Sequence, residues 1–84
     1  MEMILLKMGS PEWEEAWNWV ESHPLNENIT IDELDKWQYM GSYRLNNIVI
    51  TTFRYINHPR TNLTHTVNYK HSVSEDSIEK IYKM

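Results

Sequence analysis

Histidine is the side chain best suited to acid–base or metal chemistry near neutral pH, and the chain carries four: His23, His58, His65 and His71. Their spacing argues against both uses. His65 and His71 fall on one face of one expected strand, but six residues of extended chain span about 20 Å, too far to share an ion held at ~2.1 Å per ligand. HxH and HExxH patterns are absent, and with no cysteine there is neither a thiolate metal site nor a cysteine nucleophile. No serine sits in a nucleophile elbow, and with Gly9 and Gly41 the only glycines, no phosphate-cradling loop can be built. The expectation is a chain with no catalytic residues, no bound metal and no cofactor.

Charge is sorted instead. Residues 1–37 hold nine acids against Lys7 and Lys36, whereas residues 38–74 hold no acid but contain Arg44, Arg54, Arg60 and Lys70. Fields of one sign persist over roughly a Debye length, ~8 Å in physiological salt, so this sorting predicts either two faces with different partners or two halves that complement each other.

Two surfaces could use it. Trp19 lies about 200° around a helix from Trp17 and so leaves the stripe that Trp17 buries. Glu12 and Glu15 share its azimuth, and Glu14 and Glu21 widen the negative patch. A tryptophan among carboxylates is the composition of a hot spot for a basic protein partner. The alternative is single-stranded RNA, DNA or a nucleotide held by Arg44, Phe53, Arg60 and Lys70, with phosphates on the cations and bases stacked on the aromatic ring. Self-association through an edge strand or the outer sheet face is a third use.

The elements that would position these residues are legible. Ser10 and Pro11 provide an N-cap and a proline at the first helical position, and Trp13, Ala16, Trp17 and Val20 form a buried stripe on a helix from Pro11 to about Ser22. His23-Pro24 ends it. Thr30 to Glu33 reads as a capping box opening a helix of about two turns, with Ile31, Leu34 and Trp37 inward. From Tyr39 the period becomes two, giving strands over 39–45, 48–57 and 62–71 joined by Asn46-Asn47 and by His58 to Thr61.

With Leu45 opposite Ile48 and Asn57 opposite Asn62, one face of this meander holds Tyr39, Tyr43, Leu45, Ile48, Ile50, Thr52, Arg54 and Ile56, with Leu63, His65, Val67, Tyr69 and His71. As the more apolar set, it is expected under the helices. The opposite face, with Met40, Ser42, Arg44, Val49, Thr51, Phe53, Tyr55, Thr64, Thr66, Asn68 and Lys70, is expected to be outer. That register puts Arg44, Val49 and Lys70 in one row. Ser72 to Glu75 reads as another capping box, before a short helix striped by Ile78, Ile81 and Tyr82. Met3 to Met8 forms a short strand or extension.

The fold class is therefore a small α+β domain, residues 1–84: two N-terminal helices, a three-stranded antiparallel meander and a C-terminal helix, with a short N-terminal strand in addition. A chain of this length buries only about 60 to 65% of its unfolded surface, and four Trp, five Tyr and one Phe make its core aromatic. Met3 to Met8 is too short for a signal sequence, no run approaches the ~20 apolar residues of a membrane span, and cysteine is absent, so the expected location is the cytoplasm. In being short, cysteine-free and rich in Asn and Tyr, the composition resembles that of the small inhibitors phages encode against host proteins. The functional expectation is a non-enzymatic protein that binds and occludes or bridges a macromolecular partner.

Overall fold

The computed structural model describes residues 2–83, apart from the side chains of Glu2, Glu79 and Lys83. Strand β1 (Glu2–Leu6) leads to helix α1 (Pro11–Glu21), a 3₁₀ turn (Pro24–Asn26) and the one-turn helix α2 (Ile31–Leu34). Strands β2 (Gln38–Leu45), β3 (Ile48–Tyr55) and β4 (His65–Ser72) follow, then helix α3 (Glu75–Ile81) and the two-residue strand β5 (Tyr82–Lys83). The class is α+β, as expected.

The first two helices start at the residues that sequence marks for them. Ser10 Oγ accepts from the Trp13 amide at 3.2 Å. In the capping box, Thr30 Oγ1 accepts from the Glu33 amide at 3.3 Å and Glu33 Oε2 from the Thr30 amide at 3.0 Å, so two orphan donors are satisfied reciprocally. Helix α2 is one turn rather than two, and Ile31 is 77% exposed; Trp37, beyond its end, is the residue that reaches the core. The expected Ser72 to Glu75 capping box does not form, because Ser72 still belongs to β4; Ser74 takes the N-cap position without a side-chain cap hydrogen bond, its Oγ lying 2.7 Å from Ser77 Oγ.

The meander forms one side of a five-stranded antiparallel sheet in the order β4-β3-β2-β1-β5, with β4 at the edge. Residues 2–6 thus form a strand, and the chain's last described residues close the far edge beside it. Leu45 lies opposite Ile48 as expected, with Asn46 taking the left-handed conformation in the turn (φ 57°).

Two local features invert the faces expected from sequence. A bulge between Tyr39 and Gly41 inserts one residue into β2, so Tyr39 and Ser42 point to the same side. The β3–β4 loop spans 56–64 rather than four residues, and Tyr55 lies opposite His65, one position later than Asn57 opposite Asn62 would place it. A one-residue slip changes every partner's face. The inner rows are Arg44–Val49–His71, Ser42–Thr51–Tyr69, Tyr39–Phe53–Val67 and Tyr55–His65. Val49, Thr51, Phe53 and Tyr55, expected outside, are buried under the helices, while Tyr43, Leu45, Ile48 and Ile50 are outside.

Aromatic edges hold the layers together. Trp13 meets Tyr39 at 5.3 Å between ring centroids, Trp17 meets Phe53 at 4.8 Å and Trp37 meets Tyr55 at 5.3 Å, all edge-on. Within this layer, the buried hydroxyls form a chain: the Leu6 amide donates to Tyr39 Oη, which lies 2.8 Å from Ser42 Oγ, which in turn lies 2.9 Å from Thr51 Oγ1. It satisfies Ser42 and Thr51, both fully buried, and ties β1 to β2 where the bulge interrupts the ladder.

Candidate functional site

The acidic set is divided by the helix that carries it. Glu12, Glu15 and Trp19 occupy the flank of α1 that faces β4, whereas Glu14 and Glu21, at 100° per residue, fall on its opposite flank. Trp19 is half-buried rather than free: its ring lies 5.2 Å from that of Tyr69 and 5.7 Å from that of His23. The Tyr69 hydroxyl donates to Glu15 Oε1 at 2.9 Å. Burial first, then that hydrogen bond and the Glu15 charge, raise the Tyr69 pKa. Tyr69 stacks on His71 at 4.9 Å, and His71 Nε2 lies 2.8 Å from Tyr82 Oη. Burial holds the His71 pKa down, against the opposing pull of Glu15 and Glu12. These contacts form a seam that clamps α1 and the chain end onto β4.

The basic set is not brought together. Arg44 lies on the inner side at the sheet's end, donating from Nε to the Asn46 carbonyl at 2.8 Å and from Nη2 to Glu75 at 3.1 Å. Lys70 lies on the opposite side, across from Ile50, because the expected Arg44–Val49–Lys70 row is replaced by Arg44–Val49–His71. Phe53 is fully buried beneath Trp17 and offers no ring for a base to stack on. Arg60, in the loop, donates to the Pro24 carbonyl at 3.1 Å and stands 4.0 Å from Glu27. Beside it, a depression of about 310 Å³ is lined by Glu27, Asn28, Ile29, Glu33, Pro59 and Arg60, with the Glu33 carboxylate engaged in the cap of α2.

The histidines that do meet are His58 and His65, 5.5 Å apart between rings, a pair that the loop brings together and sequence spacing hides. His58 is fully buried, and Nδ1 accepts from the Arg60 amide at 3.2 Å. Its Nε2 lies 3.5 Å from Asn26 Oδ1, which also accepts from Trp37 Nε1 at 2.9 Å, while Asn26 Nδ2 donates to the Val20 carbonyl. His65 Nε2 lies 2.6 Å from Thr61 Oγ1. These contacts make His58 a structural pin between the loop and the 3₁₀ turn. No cluster of three or more His, Cys, Asp or Glu able to hold a metal occurs among the described residues.

What remains is a surface that the expected register concealed. Among the described residues, the helices pack on one side of the sheet, and none lies over the other side. Across it run the rows Met3–Tyr43–Ile50–Lys70 and Leu45–Ile48–Ser72, with Leu5 beside Gly41. Met3 and Leu45 are each 58% exposed, Leu5 45% and Tyr43 41%, with half-buried Ile48 and Ile50 between them. Single exposed apolar residues are ordinary, whereas a set that stands contiguous on one face is not. Sequence does carry its signal, in the even-numbered residues of β3, which the expected register, one residue away on the β4 side, reads as core.

No protein-family model, no curated protein and no solved structure matches the chain.

Proposed function

We propose that this is a non-enzymatic interaction protein that docks on a protein partner through the open face of its sheet, occluding the surface it covers. One observation carries this reading: Met3, Leu5, Tyr43 and Leu45 stand exposed side by side on the one sheet face that no helix covers. A sheet is stable when both faces are packed or when the uncovered face is polar, and here the uncovered face is apolar at its centre. Tyr43 adds the amphipathic ring that interfaces favour. The acids Glu12, Glu14, Glu15 and Glu21 then act at longer range, biasing which partners approach from the helical side.

Site-specific photocrosslinking tests the surface. A benzoylphenylalanine in place of Leu45, on the open face, should give a discrete heteromeric adduct in cells, and one in place of Asn18, exposed on α1, should not. Adducts from Asn18 alone would remove the open face as the docking surface.

A further inference from the structure

What covers the open face is constrained by its charges. Apolar side chains run from β1 to the first half of β3, at Met3, Leu5, Tyr43, Leu45, Ile48 and Ile50, and the cations lie beyond them, Lys70 on β4 across from Ile50 and Arg54 at the far end of β3. No carboxylate stands among the described residues of this face, and neither cation pairs with an acid. Arg54 is only partly satisfied: Nη2 donates to Gln38 Oε1 at 3.2 Å, while Nε, beneath the surface, has no acceptor. The face is thus itself amphipathic, apolar through its centre with two cations, Lys70 and Arg54, along its border toward β4.

Backbone requirements limit the occupant's shape. A segment lying flat on a sheet face finds no backbone partners there, so it must satisfy its own amides, as a helix or as another sheet. Another sheet means, most simply, a second copy related by a two-fold axis parallel to the face. With the axis across the strands, β3 and β4 lie over the partner copy's β3 and β4, so Lys70 and Arg54 come over the side that carries the same cations. With the axis along the strands, they come over the partner copy's apolar β1 side. Either way four cations enter the interface with no carboxylate to meet them, a costly burial.

A helix meets both conditions. A strand of eight residues spans about 26 Å, the length of a helix of about 17 residues, and a helix about 10 Å wide covers two strands, so one flank naturally overlies β4. We infer that the open face takes an amphipathic helix of the partner protein, apolar along its length and acidic on the flank lying over Lys70 and Arg54. This rests on the open face being the docking surface.

The probe is a designed peptide of about 18 residues, leucine along one stripe and glutamate along one flank. Its comparator carries lysine in place of glutamate. Titration into the isotope-labelled full chain, read by amide shifts, should move the resonances of β1, β2 and β3 with the glutamate peptide. Affinity for the lysine peptide should be about tenfold weaker, the effect of two rim ion pairs. Lys70→Glu, and independently the doubly changed chain with Arg54→Glu, should reverse the preference; both positions lie on the open face, and an unchanged thermal midpoint checks that they fold.

Equal binding of both peptides, lost in Leu45→Asp, would overturn the acidic-helix inference while keeping the open face as a docking surface. Shifts confined to α1 and α3 would overturn both. Binding of neither peptide at millimolar concentration would overturn the inference, as would a dimer by sedimentation that Leu45→Asp dissociates. So would tight, salt-steep binding of oligothymidylate in place of the peptides.

Discussion

At the scale of single residues, the buried pin at His58 makes the most definite claim. Its pKa is lowered, first by burial, then by the nearby His65 and Arg60, with Glu33 opposing them weakly. A histidine whose folded pKa lies below its unfolded value of about 6.5 binds its proton more tightly in the unfolded chain. Stability is therefore full above that unfolded value and falls as pH drops through it toward the folded pKa. The half-buried His71, also lowered, adds in the same direction. Urea midpoints should decline between pH 7 and pH 5.5, a window in which unperturbed carboxylates change little. In His58→Gln the absolute midpoint will drop, because Nδ1 no longer receives the Arg60 amide, but its decline with pH should be shallower. An equally steep decline in the variant would mean that His58 does not titrate between the two states.

Among the elements, the inverted β3 face is the point at which sequence and structure part, and a pair of substitutions reads it directly. Phe53→Ala removes a ring wedged between Trp17 and Tyr39 and should cost roughly 3–5 kcal/mol, the range for a buried aromatic. Leu45→Ala, on the open face, should stay within about 0.5 kcal/mol. The reverse ranking by chemical denaturation would restore the faces that periodicity alone assigns. Helix α1, its Ser10 cap, the Thr30 capping box and the Leu45–Ile48 register were all legible because each is set by residues within a few positions of one another. The side on which β3 buries its ring-bearing residues was not. It depends on the bulge at Gly41 and on a loop of nine residues in which Asn57 and Asn62 take left-handed conformations (φ 55° and 60°), so that two small local choices decide parity over eight residues. Counting apolar positions could not repair this, since the even set of β3 holds more isoleucine whereas the odd set holds the rings that meet tryptophan. The candidate site suffered the same fate. Lys70 was correctly read as outward-facing, but its companions Arg44 and Phe53 were carried to the other side of the sheet.

For the molecule as a whole, the charge sorting along the chain resolves into layers. Acids are concentrated in the helical layer, where Glu15 and Glu75 are partly met by Tyr69 and Arg44, and the open sheet face holds cations without acids. Internal pairing thus takes up some of the charge, between the halves at Arg60 near Glu27 and with the segment after residue 74 at Arg44 with Glu75, and leaves Lys70 and Arg54 out of it among the described residues. An apolar sheet face is also a hazard, because two copies could bury it against each other. Lys70, across from Ile50, and Arg54, between Gln38 and Thr66, oppose this, because stacking two copies would desolvate all four cations. Replacing both by leucine removes the penalty and enlarges the apolar area without touching the helical side. The chain should therefore sediment as a monomer at micromolar concentration, and the Arg54→Leu, Lys70→Leu chain should sediment as a dimer that Leu45→Asp returns to monomer. A monomer in both would show that the cations do not hold the open faces apart; a dimer in the unchanged chain would show that the face already has its partner in a second copy.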